Sequence, residues 1–366
     1  MDNRKERYLN FELLKIISML FVIMIHFLGH GKVLETAEFN TIEYYIYWFF
    51  RAAGYVCVNC FVLITGYFMS NSEVKISKIV KIEIQTIFYT ILLWVVTLII
   101  SGRNFALKDL LMNITPVSSG IYWYVTVYIM LLVLSPGLNC IVENISRKTF
   151  LNILKCLLLY ASIIPTFFYW SRNNISKGRD IVWFITLYLM AAYIKKYNVR
   201  LKKKFSLLIY LCGSVVLVLS NALIGNATLI ILGEIKSADL LYANNSIVVV
   251  ITSFAFFLFF KEIKIKKTSY SNKSEWLASL SFGAYLFHEN IIFREVLWDI
   301  IKPARFIDTD FAIIKTIAFM IASVCMIFVI GVILEWLRLK LFKLVGIDRV
   351  EHIMTTFIEE KFDIKK

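Results

Sequence analysis

Ten apolar runs, most of them close to twenty residues long, leave this chain few ways to fold. They cover residues 11–29, 44–69, 82–100, 120–141, 151–169, 181–194, 205–224, 245–260, 277–298 and 311–336. A helix needs about 20 apolar residues to cross the hydrocarbon core of a bilayer. In hydrocarbon, only helices and closed barrels satisfy their own backbone groups. The chain is 59% hydrophobic with a mean hydropathy of +0.71, whereas a soluble domain is about 45–50% apolar. The expected fold is all-α: a polytopic integral membrane protein of about ten transmembrane helices. The sixth run is short, and the second is long enough to tilt. Only four prolines and fourteen glycines occur in 366 residues, so no flexible linker divides the chain. Residues 1–340 read as a single transmembrane domain and 341–366 as a short charged tail.

The basic residues orient these spans. The N-terminus, alternate loops and the C-terminal tail hold 26 Lys and Arg, against nine in the opposite loops. Positive loops stay in the cytoplasm, which places both termini there and favours an even number of spans. The net charge of +14 is then mostly topology. It lies in short loops rather than on one domain, so no nucleic-acid partner is expected. The first run has Lys15 near its start and no small-x-small cleavage site after it, and it reads as an uncleaved signal anchor. The multi-pass chain belongs in a cell membrane, with the lipid bilayer as its first partner. Cys57 and Cys60 form a CxxC inside an apolar run and read as small buried residues.

Polar residues inside the spans carry the functional information, because a charge at the helix centre costs at least ~2.5–3.5 kcal/mol. The first span carries Glu12, Lys15, His26 and His30. An eleven-residue step is about three helical turns with roughly 20° of offset, so Lys15 and His26 share a face ~16 Å apart. In the second span, Arg51 either snorkels to the surface or points inward, where it would hold an acidic group at the depth of His26; Asn59 follows. Lys75, Lys78 and Lys81 lie on one side of a helix. They read as a positive-inside signal or as a site for a phosphorylated donor. The fourth span opens with Tyr122, Trp123 and Tyr124, an interfacial aromatic belt or a stacking surface for a sugar. Trp170, Arg172 and Arg179 make the third external loop basic, which suits an anionic acceptor. In the ninth span His288 falls about midway, followed by Glu289, Asn290, Arg294 and Glu295. On a continuous helix, Asn290 meets Arg294, and His288 shares a face with Glu295.

A neutral imidazole takes a proton from a hydroxyl at neutral pH, so His26 and His288 are candidate bases for acyl transfer to an alcohol. Either could also accept the acyl group itself. His26 and His30 are spaced to ligate a metal, but no Cys or carboxylate is spaced to complete the site, and none is expected. No nucleotide-binding glycine loop and no Gly-x-Ser-x-Gly elbow occurs, which leaves P-loop and serine-hydrolase chemistry without support.

Lys15-x10-His26, within NFELLKIISMLFVIMIHF, resembles the Arg/Lys-x10-His motif of acyltransferase family 3, the membrane O-acyltransferases of bacterial surface glycans. NCFVLITGYFM at 59–69 is similar to that family's Phe-x-x-Ser/Thr-Gly segment. The likeness continues through WYVTVYIMLLVLSPGLN, LYANNSIVVV and SFGAYLFHENIIF, in order along all ten spans. The resemblance implies acetyl-CoA or another acyl-CoA as co-substrate, with no bound cofactor. The acyl group would pass to a hydroxyl of a cell-surface or exported polysaccharide, with glycan synthesis or export machinery as a possible partner. It implies a bacterial cytoplasmic membrane location. His26 matches the family's essential histidine, as general base or transient acyl acceptor, and Lys15 its basic partner. His288 and Glu289 are second candidates for proton handling. Arg51, Asn59, Tyr122, Trp123, Tyr124 and Arg294 are candidate acceptor-site residues. Lys75-x-x-Lys78, with Lys81, is the nearest match to the family's Arg-x-x-Arg; lysine neutralises CoA phosphates as a point charge but lacks the bidentate fork. The competing reading is a transporter or flippase of lipid-linked glycan, for which an internal repeat would be the signature. A membrane sensor or scaffold would not need a histidine inside a span.

Overall fold

The structure is a computed structural model and describes residues 8–73, 75–102, 105–168, 176–265 and 271–361. Trp170, Arg172 and the N-terminal Arg4, Lys5 and Arg7 lie outside the described residues. Every regular element described is helical. In chain order they are α1 (Leu9–Gly29), α2 (Val33–Thr36), α3 (Ile42–Gly54), α4 (Cys57–Met69) and α5 (Ile76–Ser101). Next come α6 (Leu107–Ile114), α7 (Trp123–Asn144), α8 (Arg147–Leu158), α9 (Ile164–Phe167) and α10 (Ile181–Lys196). The chain closes with α11 (Lys203–Leu232), α12 (Ile247–Lys261), α13 (Ser271–His288), α14 (Phe293–Ile301), α15 (Ala312–Val345) and α16 (Ile347–Lys361).

Among the described residues, seven helical segments are long and apolar enough to cross a membrane: Leu9–Gly29, Ile42–Met69, Ile76–Ser101, Trp123–Asn144, Arg147–Phe167, Lys203–Leu232 and Ala312–Val345. The chain is a multi-pass membrane protein. Three of the ten expected spans depart from that length. The sixth, α10, has 16 residues and the eighth, α12, has 15. Both lie deep in the bundle, and α10 buries every residue from Thr186 to Ile194. A helix that is apolar all round is an interior helix.

The ninth expected span is not one helix. It stops at His288, and α14 begins at Phe293. Asn290 causes the restart: its Oδ1 accepts the backbone N–H groups of Ile292 and Phe293 at 3.0 and 3.1 Å. That satisfies donors a new helix would leave free. Its Nδ2 donates to Tyr122 Oη at 3.2 Å. Non-helical backbone at membrane depth is tolerated where protein buries it, and Asn290 is fully buried. Arg294 meets Asn290 through the backbone, its N–H donating to the Asn290 carbonyl at 2.8 Å, whereas Glu295 belongs to a different helix from His288.

The second run also contains a break, at Tyr55 and Val56. Helix α1 runs through the middle of the bundle, against α3, α4, α12, α13 and α15. Small residues let the helices touch, as expected where lipid removes the hydrophobic drive between them. A Cβ on Gly331 of α15 would stand 2.3 Å from Ala284 Cα of α13. One on Gly66 of α4 would stand 2.6 Å from the Tyr188 carbonyl oxygen of α10. At the C-terminus α15 continues through residue 341 to Val345, and α16 packs on α5 with Glu351 3.7 Å from Lys81.

Candidate active site

Close packing of α1 on α13 brings the intramembrane histidines together. His26, in the last turn of α1, and His30, the residue just past its end, have ring centroids 4.9 Å apart. His288, the last residue of α13, places Nε2 3.0 Å from His26 Nδ1. Its own Nδ1 lies 2.5 Å from the carbonyl oxygen of Ala284, one turn back on the same helix. A carbonyl only accepts, so His288 Nδ1 carries the proton and its Nε2 presents a lone pair when the ring is neutral. His26 Nδ1 must then donate, which puts the lone pair of His26 on Nε2. His26 Nε2 has no hydrogen-bond partner among the described residues.

Unwinding of the chain after His288 turns Glu289 toward the same cluster. Its Oε2 is 3.0 Å from His26 Nδ1 and 3.6 Å from His30 Nε2. Neither contact is aligned as a hydrogen bond, and Oε2 is buried without one. Its Oε1 accepts from Arg294 Nη1 at 3.1 Å. Glu289 is 7% exposed, so its charge is held by Arg294 and faces the two imidazoles at contact distance.

Two cavities meet at His26. One, of about 270 Å³, is mostly apolar and includes Lys15, His26, Phe61, Trp123, Tyr124 and Tyr128 in its wall. The other, of about 260 Å³, is the more polar of the two and is lined by His26, His30, Arg51, Arg179, Asn244 and Arg294 among others. Trp123, Val58 and Ile25 border both. The apolar cavity runs from His26 toward the Lys15 end of α1. The polar one opens at the opposite end of the bundle, where α3, α7 and α10 begin.

The site residues expected from sequence separate into groups. Lys15 lines the apolar cavity, but its Nζ is 3.1 Å from Glu12 Oε1 on the same helix. Arg51 points inward, with its guanidinium 5.2 and 5.8 Å from the ring centroids of Trp48 and Tyr55. Trp123 and Tyr124 are cavity walls. Asn59 and Tyr122 stand behind the walls as buried hydrogen-bonding posts. Asn59 Nδ2 donates to the Asn244 carbonyl at 2.8 Å, and Asn59 Oδ1 accepts from Trp183 Nε1 at 3.1 Å. Tyr122 Oη donates to the Leu286 carbonyl at 2.6 Å. The three lysines scatter. Lys75 is exposed, Lys81 faces Glu351, and Lys78 sits 5.8 Å over the ring of Tyr128, a wall of the apolar cavity.

Tyr55 and Asn244 carry no sequence signal that singles them out, Tyr128 stands out only as part of the aromatic run that opens the fourth span, and Arg179 only as part of a basic loop. Arg179 and Asn244 come together because the Asn244 N–H donates to the Lys177 carbonyl at 3.1 Å. Gly178, with φ +76°, lets the two segments touch: a Cβ there would stand 2.7 Å from the Asn245 nitrogen. His26, His30 and Glu289 also offer one ligand atom each, all within 4.8 Å of one another. Spacing alone lacked a carboxylate for that set; the fold supplies it from more than 250 residues away.

The model of an acyltransferase domain, that of acyltransferase family 3, matches residues 8–336. Searches of curated proteins and of solved structures returned no match. The match takes in both cavities and every residue of the histidine cluster, and the chain therefore belongs to the acyltransferase 3 family.

Proposed function

We propose that the protein is a membrane O-acyltransferase that moves an acetyl group from cytoplasmic acetyl-CoA to a hydroxyl of a cell-surface or exported polysaccharide. The observation that carries this reading is the position of His26 at the junction of an apolar and a polar cavity. A mostly apolar cavity suits the slender pantetheine arm of CoA. A polar cavity suits a hydroxylated acceptor. The arm would cover the ~16 Å between the Lys15 and His26 levels, with Lys15 at the donor end. The CoA phosphates would stay at the membrane surface near Lys75, Lys78 and Lys81.

His26 Nε2 takes the proton of the acceptor hydroxyl as that oxygen attacks the thioester carbon. The C–S bond breaks, the proton passes to the leaving CoA thiolate, and the products are an O-acyl ester and free CoA. Glu289, 3.0 Å from His26 Nδ1, stabilises the imidazolium that forms. His288 holds His26 in the tautomer that leaves Nε2 free. Transient acylation of His26 uses the same lone pair and the same tautomer.

Labelled acetyl-CoA supplied to isolated membranes, with and without candidate polymer, tests the reaction. Polymer-dependent incorporation of label is expected. Movement of lipid-linked glycan across the bilayer with no label incorporated would instead favour a transporter or flippase.

A further inference from the structure

Three guanidinium groups, Arg51, Arg179 and Arg294, line the polar cavity, with Glu289 as its carboxylate. Arg294 is matched by Glu289 at 3.1 Å. Arg51 and Arg179 have no carboxylate within ion-pair distance among the described residues. Each lies instead over an aromatic ring: Arg51 is 5.2 Å from the Trp48 centroid and Arg179 is 5.4 Å from that of Trp123. A ring contacts the guanidinium face and leaves the N–H edge available. Arg51 Nε is buried and donates to nothing. Burying a guanidinium N–H without an acceptor is costly, and the planar fork of a guanidinium fits a carboxylate or phosphate in bidentate fashion.

We infer that the polar cavity is built for an anionic acceptor, one bearing a carboxylate or phosphate close to the hydroxyl that is acylated. Arg51 holds the anion at depth, and Arg179 receives it at the exposed mouth. The inference rests on the reading of this cavity as the acceptor side. It accounts for a cavity wall more cationic than a neutral sugar requires, and it places the anion next to His26, which shares that wall.

The test is thermal stability of the purified full-length protein with millimolar glucose, glucuronic acid, glucose 1-phosphate or CoA. Glucuronic acid or glucose 1-phosphate should raise the melting temperature while glucose does not. The larger of the two shifts tells whether carboxylate or phosphate is the preferred anion. The shift should vanish in the Arg51→Gln/Arg179→Gln double variant and persist in part in Arg51→Lys/Arg179→Lys, which keeps the charge and separates anion binding from misfolding. An equal shift with glucose, an anion shift untouched in the Gln variant, or an anion shift competed away by CoA would overturn the inference; the last would assign the arginines to the donor's phosphates. Acyl transfer is measured in parallel. Anion binding with no transfer would leave the cavity assignment standing and defeat the proposed reaction. Equal transfer to glucose and glucuronic acid, unaffected by the Gln variant, would do the reverse.

Discussion

His26 Nδ1 and His288 Nε2 lie 3.0 Å apart, although 262 residues separate them in sequence. The Ala284 carbonyl fixes the proton of His288, and His288 in turn fixes the proton of His26. A backbone carbonyl of α13 thereby decides which nitrogen of an α1 histidine is basic.

Replacement of His288 tests that relay. His288→Leu removes the acceptor of the His26 Nδ1 proton and should lower kcat by ~10²-fold, within the usual range for a lost acid–base element, with little change in KM for acyl-CoA. His288→Gln presents an amide oxygen toward His26 and an amide N–H₂ toward Ala284, and should recover much of the loss. Steady-state kinetics of the two variants at matched protein level is the measurement; equal loss in both would mean His288 serves packing alone.

Glu289 combines two duties that substitutions can separate. Glu289→Gln keeps the shape and a weaker bond to Arg294, so it should lower kcat by roughly 10²-fold while the protein still accumulates. Glu289→Ala also strands Arg294, and breaking a buried pair costs about 3–5 kcal/mol. Solvent reaches part of Arg294, so the cost here falls below that range. Detergent-solubilised thermal melts should therefore rank wild type above Glu289→Gln and both above Glu289→Ala.

The donor side should respond to filling of the apolar cavity. Thr65 borders that cavity and not the polar one. Thr65→Phe should raise KM for acyl-CoA roughly tenfold, about 1.4 kcal/mol of lost binding, with KM for the glycan acceptor unchanged. A rise confined to the acceptor KM would reverse the donor and acceptor assignment.

The three ligand atoms of His26, His30 and Glu289 make a metal test informative. In the proposed reaction His26 works through a free lone pair, so EDTA should leave the rate unchanged. Added Zn²⁺ should inhibit by binding His26 Nδ1, the nitrogen beside Glu289, which moves the ring proton to Nε2 and removes the free lone pair, and His30→Ala should weaken the inhibition. Loss of activity in EDTA, restored by a divalent metal, would replace the free base with a metal-bound one.

Helix packing reaches the site through Ala284. A methyl group on Gly331 would meet Ala284 Cα at 2.3 Å, and the helix backbone cannot move aside cheaply. Gly331→Ala should destabilise by about 1–3 kcal/mol, the usual cost of overpacking. It should also lower kcat, because the Ala284 carbonyl holds His288. Melting curves and activity of this variant check both effects.

The sequence made the transmembrane class legible, and with it the cost of Lys15 and His26 in one span. Tertiary packing decided the rest. His288 and Glu289 stood out as polar residues in an apolar run, but their meeting with His26 depends on α1 touching α13, which no local pattern encodes. The break at Glu289 was hidden because Ile291, Ile292 and Phe293 carry the apolar pattern past it; one asparagine side chain, Asn290, makes the turn. Arg51 was undecided between surface and interior until Trp48 and Tyr55 could be placed beside it. Arg179 and Asn244 sit in separate connections, and only the tight approach at Gly178 joins them.

The most direct test of the account is transfer of a labelled acetyl group from acetyl-CoA to glycan by membranes carrying His26→Ala at the wild-type protein level. The predicted result is a fall of at least ~10²-fold, the lower end expected for loss of a general base, with the protein still inserted. Transfer at the wild-type rate would contradict the placing of the chemistry at His26.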